Sequence, residues 1–165
     1  MADDYKLFYE YLTYDPKLGR LYWKKSPSHN VKLGSEANSV DAKGYGRVML
    51  KKKAYKTHRV CWLLYYGHWP KSMLDHCNGN PIDNIIENLR EVNWNQNACN
   101  RAKIKGKTSK YKGVCIQGNY WAALICKNGK QKHIGSFRCE KEAALAYNIQ
   151  AEKLFGPYAR FNKVF

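Results

Sequence analysis

Acidic residues are scarce in this 165-residue chain: 13 Asp and Glu stand against 29 Lys and Arg, a formal net charge of +16. Such an excess of one sign repels itself in a compact chain and favours a polyanionic partner. Long apolar runs are missing too. No stretch approaches the roughly 18 apolar residues of a spanning helix, and the opening Met1-Ala2-Asp3-Asp4 has the wrong sign for a secretory leader. A membrane partner is therefore not expected. Closely paired cysteines are absent as well: Cys61, Cys77, Cys99, Cys115, Cys126 and Cys139 form no C-x-x-C. A structural zinc, which needs such pairs, is not expected. The thiols are expected to be free in a reducing compartment, and several of them buried, as in Val60-Cys61-Trp62-Leu63. Hydrophobic content of 44% excludes a disordered chain, and the length allows one ordinary domain or two small ones.

What the chain does have is a concentrated motif, Leu74-Asp75-His76-Cys77-Asn78-Gly79-Asn80-Pro81, running on to Asn88-Leu89-Arg90 and Asn97. Phosphodiester hydrolysis needs a base for the attacking water and a cation facing the charged oxygens. His76 suits the base, since neutral imidazole accepts a proton near pH 7. Asp75 and Asn97 are hard oxygen donors, suited to one Mg²⁺ (or Mn²⁺) that keeps most of its shell for water and phosphate. The Asn78–Pro81 run reads as a turn. Neighbouring strand residues point to opposite faces, so Asp75 and His76 are expected where a strand ends and bends.

This spaced set resembles the HNH nucleases, specifically the HNN variant of phage homing endonucleases. The resemblance covers about 45 residues, from His58-Arg59-Val60-Cys61-Trp62 through Gly67-His68-Trp69-Pro70 to Gln96-Asn97-Ala98-Cys99-Asn100. It implies a ββα-metal unit with Asp75-His76 ending the first strand. It further implies that Asn88 braces the two strands within the catalytic set, and that Asn97 ligates the metal from a closing helix over Asn93–Arg101.

Ahead of this unit, Asp4 to Leu12 reads as a short helix with Leu7, Phe8, Tyr11 and Leu12 on one stripe. Asp15–Gly19 reads as a turn, Arg20–Lys24 as a strand, and Gly44–Lys56 as a hairpin. Arg47 to Arg59 carries six Lys or Arg and no acid. Lys51, Lys52, Lys53 and Arg59 are expected to grip backbone phosphates, which positions a duplex without reading it. His58 to Tyr66 reads as a largely apolar helix, with His58 a minor candidate for a phosphate contact. Residues 101–110 read as a basic linker, in which Lys103, Lys105 and Lys107 would lie along a groove.

Beyond the linker the pattern is strand, turn, strand, turn, strand, helix. Asn128-Gly129 is a strong hairpin signal, because both positions need positive φ. Glu140 to Phe155 places Ala143, Tyr147, Ala151 and Leu154 on one helical face. Residues 111–165 resemble the AP2 DNA-binding domain through Ser109–Val114, Tyr120-Trp121-Ala122-Ala123, Ile134-Gly135-Ser136-Phe137, Glu142–Tyr147 and Phe155-Gly156. That resemblance implies a sheet lying in the major groove. The candidates for DNA contact are Lys112, Gln117, Asn119, Trp121, Lys127, Lys130 and Lys132, with sheet-face core the alternative for Trp121. Lys112, Cys115 and Cys126 stand where the plant domains use arginines, so their site preference does not transfer.

The expected class is α+β: an HNH nuclease domain over 1–100 (ββα-metal core about 58–100), then the linker, then an AP2-like three-stranded antiparallel sheet with one helix. The resemblances imply a metal-dependent, site-specific homing endonuclease in the cytoplasm of a bacterial or phage-infected cell. Its partner would be double-stranded DNA, nicked on one strand by a monomer, since one catalytic set addresses one phosphate. The alternatives are a DNA-binding regulator with a degenerate nuclease domain and, less consistent with the AP2-like sheet, an RNA-binding protein.

Overall fold

The computed structural model describes residues 2–101 and 108–165, and within them the chain divides into two compact units, residues 1–93 and 94–165. The first begins with helix α1 (Ala2–Tyr11), which runs straight into strand β1 (Leu12–Asp15). β1 pairs antiparallel with β2 (Arg20–Trp23), Leu12 facing Trp23. Leu12 was expected to close the helix, but it opens a strand. Burying it fully beside Leu21 adds apolar contact that one more helical residue would not provide.

Strands β3 (Ser39–Val40), β4 (Gly46–Leu50) and β5 (Lys53–Lys56) form a second small sheet. β4 and β5 meet at a turn whose Lys51 and Lys52 both have positive φ. Helix α2 (Thr57–Tyr66) follows and ends on Gly67 at φ 77°, whose N–H reaches the Leu63 carbonyl. It buries Val60, Cys61 and Leu63 against Phe8, Leu21, Val48 and Leu50. Phe8 meets Tyr55 and Trp69 edge-on at 4.9 and 5.5 Å, which seats α1 on the sheet. Strands β6 (Met73–His76) and β7 (Leu89–Val92) complete the unit, and Leu89 and Ile86 extend the same core.

The second unit opens with α3 (Trp94–Cys99), a shorter helix than Asn93–Arg101. Strands β8 (Val114–Gln117), β9 (Tyr120–Lys127) and β10 (Lys130–Phe137) form an antiparallel sheet in the order β10-β9-β8. Helix α4 (Glu140–Phe155) covers one face. Ala143 and Ala144 cluster with Ala123 and Val114, and Tyr147 and Ala151 cluster with Ile125. Small residues on both surfaces let helix and sheet approach closely, so Tyr147 is the main filler. The strand expected from Tyr111 starts only at Val114, because Gly113 turns the backbone at φ 75°.

All six cysteines are free, but only Cys61 is buried. The others fall in loops, on α3 or on strand positions away from α4, so the expectation of several buried thiols holds for Cys61 alone.

Gly113 generates a prediction. A Cβ there would lie 2.1 Å from the Tyr147 ring and 2.6 Å from the Leu124 carbonyl oxygen. Positive φ adds a backbone penalty of about 1–2 kcal/mol, and overpacking about 1–3 kcal/mol. Gly113→Ala is expected to destabilise the second unit by roughly 2–5 kcal/mol, summing those two costs. Urea unfolding followed by hydrogen exchange of β8 and β9 amides checks it, and unchanged protection would show that the turn relaxes freely.

Candidate active site

Asp75 and His76 sit at the end of β6, where cross-strand register pairs Asp75 with Arg90 and His76 with Leu89. Side chains alternate along a strand, so the two project to opposite faces of the β6–β7 pair. The strand ends at His76, where the expected turn begins: the Gly79 N–H bonds the His76 carbonyl at 2.8 Å, and a last cross-strand bond joins the Cys77 N–H to the Asn88 carbonyl at 2.8 Å.

On one face the Arg90 guanidinium donates to Asp75 Oδ2 through Nη2 at 2.8 Å and Nε at 3.1 Å. Both side chains are largely buried, at 17% and 10% exposure. A buried carboxylate of this kind depends on its partner, since removing one member of such a pair strands a charge out of water.

On the other face His76 is 4% exposed. Its Nε2 lies 3.1 Å from Asn84 Oδ1. Its ring meets the His58 ring edge-on at 5.2 Å, and Tyr45 faces both histidines at 6.2 and 5.8 Å. Burial pushes the His76 pKa below its ordinary value, against the opposing pull of the Asn84 bond and the nearby Asp75 carboxylate. His76 is thus held in the neutral form that can take a proton. Burial and the neighbouring His76 push His58 down to about 3, so it is neutral and apolar in character. It is an interior residue of α2 and not a surface phosphate contact.

Asn88 closes the loop between the strands. Its Oδ1 accepts from the Asn78 N–H at 3.0 Å, and its Nδ2 donates to the Asp83 carbonyl at 2.7 Å and to Asn78 Oδ1 at 3.1 Å. Together with Ile86, which is buried in the core, these bonds hold the 12-residue connection, and they engage Asn88 with the loop that it closes. Asn97 lies on α3, half-buried, in the second unit. Among the described residues no cluster of three His, Cys, Asp or Glu side chains could hold an ion. A hydrated Mg²⁺ needs fewer protein donors, and one carboxylate with one amide oxygen fits that demand. An ion at Asp75 would share the carboxylate with Arg90.

The nominated basic residues are distributed unevenly. Lys51, Lys52 and Lys53 are exposed at the β4–β5 turn, and Arg59 lies half-buried over the Trp69 ring at 6.0 Å. Lys103, Lys105 and Lys107 lie outside the described residues. Lys112 is half-buried, donating to the Cys99 carbonyl at 2.6 Å, and desolvation lowers its pKa to about 8. Its ammonium meets the carbonyl at the end of α3.

Register sorts the remainder. Trp121, Lys127, Lys130 and Lys132 share the strand face of Ala123 and Ile125, the side that carries α4. Trp121 packs against the core there, though all three lysines stay exposed. Gln117 is on the opposite face, and Asn119 is in the β8–β9 turn. The open face also presents Tyr120, Gln131, His133 and Ser136, which the sequence reading missed. Counting parity outward from the Asn128-Gly129 turn would have found Tyr120, Gln131 and His133, whereas Ser136 joins them only through the irregularity between His133 and Gly135. Asn84 was missed as well. It sits in a loop rich in Asn and Asp, and nothing local marks it as the residue that meets His76.

Comparison with known proteins agrees with this site. Residues 55–99 match the HNH endonuclease family. The chain is 36% identical over 110 residues to an uncharacterized HNH endonuclease of Acanthamoeba polyphaga mimivirus, spanning 65% of this chain but only 57% of that protein. It is 31% identical over 112 residues to protein 3.8 of Escherichia phage T7, spanning 66% of this chain and 92% of that protein. The matched segment is an HNH endonuclease domain, and it contains Asp75, His76, Asn88 and Asn97.

The depressed His58 pKa has a consequence for stability. The unfolded chain binds a proton at His58 below about pH 6.5, whereas the folded chain resists until about pH 3. Stability from this residue is complete above pH 6.5 and is lost as pH falls toward 3, by up to about 1.4 kcal/mol per pH unit. His58→Leu should remove that dependence. Urea midpoints at pH 7 and pH 4.5 should converge for the variant relative to the parent, and parallel losses would show that His58 titrates normally.

Proposed function

We propose that the chain is a metal-dependent, site-specific DNA endonuclease of the homing type that nicks one strand of a duplex. The observation that carries this is the neutral, buried His76 held by a side-chain hydrogen bond beside the Arg90-paired Asp75. In the reaction, water attacks the phosphorus, its proton passes to His76, one P–O ester bond breaks, and the leaving oxygen takes a proton from solvent. A divalent cation, when bound, supplies positive charge to the phosphate oxygens. Asp75 and Asn97 are the residues that would hold it. Arg90 keeps the Asp75 carboxylate oriented, and Asn88 keeps the loop after His76 closed.

The second unit serves as an AP2-like reader. Its open sheet face carries hydrogen-bonding side chains, Gln117, Gln131, His133 and Ser136, with the lysines of the other register at its margin. Glutamine can pair with base edges in the major groove, while exposed lysines neutralise phosphates. The net charge of +16 supports a steep loss of affinity with salt. The single His76-centred set supports a monomer that cuts one strand, in the cytoplasm of a bacterial or phage-infected cell.

His76→Ala is expected to bind DNA nearly as the parent does and to lower cleavage by roughly 10²–10⁴-fold, the usual worth of a general base. Strand-specifically labelled genomic fragments, incubated with Mg²⁺ or with chelator, read both quantities. Asp75→Ala should cost more activity than Asn97→Ala, because a carboxylate brings charge as well as an oxygen. Cleavage undiminished in chelator would remove the metal role. Equal cutting of both strands with second-order dependence on protein would overturn the monomeric nickase.

A further inference from the structure

We propose that Asn84 is the positioning residue of His76, and that the N-terminal β1–β2 hairpin is the clamp that holds Asn84 in place. The proposal rests on the reading of His76 as the base and adds how that base is aimed.

Asn84 is 1% exposed, and its two amide ends are distinguishable by their partners. Nδ2 lies 3.3 Å from the Ile82 carbonyl, which can only accept, so this end is the donor. The other end, Oδ1, therefore faces His76 Nε2 at 3.1 Å. An amide oxygen only accepts, so in the neutral ring Nε2 carries the hydrogen. The lone pair then belongs to Nδ1. The Asn84 amide thus favours Nδ1 as the nitrogen that acts as the base.

Asn84 is itself held from a distant part of the chain. The Tyr14 hydroxyl, 70 residues away in sequence, donates to the Asn84 carbonyl oxygen at 2.7 Å. Tyr14 is on β1, and the turn that leaves β1 packs its Gly19 directly on the same backbone. A Cβ at Gly19 would stand 2.4 Å from the Ile85 nitrogen and 2.6 Å from the Asn84 carbonyl carbon. Gly19 also has φ 66°, so glycine is required there twice over. The hairpin has little freedom to retreat, because Leu12 and Leu21 are fully buried in the core. Residues that precede the family match by some 40 positions thereby reach the catalytic histidine through one asparagine.

The test reads the His76 ring directly in the ¹⁵N-labelled full-length chain, by long-range ¹H–¹⁵N NMR, with DNA cleavage as a second readout. The parent should show the Nε2–H tautomer. Asn84→Ala should lose that preference and lower kcat by roughly 10²–10⁴-fold, the scale of a wrong-tautomer histidine, with KM for DNA within about twofold. Asn84→Asp keeps an acceptor at the same place and should keep both the tautomer and most of kcat. Tyr14→Phe removes one hydroxyl from an otherwise intact ring, so it opens no cavity in the core. It should shift the His76 nitrogen resonances and lower kcat about tenfold, a partial form of the same misorientation. An Nδ1–H tautomer in the parent, or a His76 signal indifferent to both Asn84→Ala and Tyr14→Phe, would overturn the proposal. If the tautomer responds as stated while no variant, parent included, cuts DNA, the positioning stands and the nuclease reading falls.

Discussion

The ladder between β6 and β7 is the constraint on which the first unit depends. Antiparallel register places Asp75 across from Arg90 and His76 across from Leu89. One pair is ionic and the other puts an imidazole on the same side as a core leucine. Because the strands are short, the connection between them must supply its own rigidity, and Asn88 does so by bonding to Asn78 and Asp83. A slip of one residue would exchange the two faces, bringing Arg90 toward the core and His76 toward solvent.

Around this ladder the rest of the unit is arranged to keep a histidine dry but hydrogen-bonded. Helix α2 brings the His58 ring against His76, and the segment before β4 brings Tyr45. These rings lower the local polarity, and burial costs a charged imidazole more than a neutral one. A polar partner is then required to keep the buried ring nitrogen from going unsatisfied. Asn84 meets that need, and it is one of few polar side chains in the unit with almost no exposure. The hydrophobic core and the chemistry are therefore not separable here: Leu89 and Ile86 of the motif segment belong to the same cluster as Phe8 and Leu21.

The second unit solves a different problem, presenting a flat polar face on a thin support. Alanines at 123, 143, 144 and 151 are fully buried, so α4 lies close against the sheet without bulky side chains between them. Tyr111 and Tyr147 fill what space remains. With the helix covering one side, the opposite side of β8, β9 and β10 is left to hydrogen-bonding residues. Lys112 joins α3 to this unit through the Cys99 carbonyl, which explains why that helix groups with the sheet.

Much of this was legible in the residues alone. Local signals set the elements of the second unit almost to their ends, because Asn128-Gly129 demands a tight turn and the alanine stripe has an unmistakable helical period. The HNH domain was equally readable, since residue type and spacing carry the family pattern over residues 55–99. What composition could not convey was direction. Lysines at 127, 130 and 132 look like a basic patch in sequence, but register puts them on the α4 side and leaves Gln131 and His133 on the open one. That Lys112 bonds the Cys99 carbonyl at the end of α3 was likewise set by the fold and not by local sequence. Asn84 and Tyr14 could not be paired from sequence at all. Their contact spans 70 residues and exists only because two hairpins pack on one core, which no local propensity encodes. The chain by itself determined which groups were available for chemistry; tertiary packing decided which of them meet, because hydrogen bonds between distant segments follow from how the cores close.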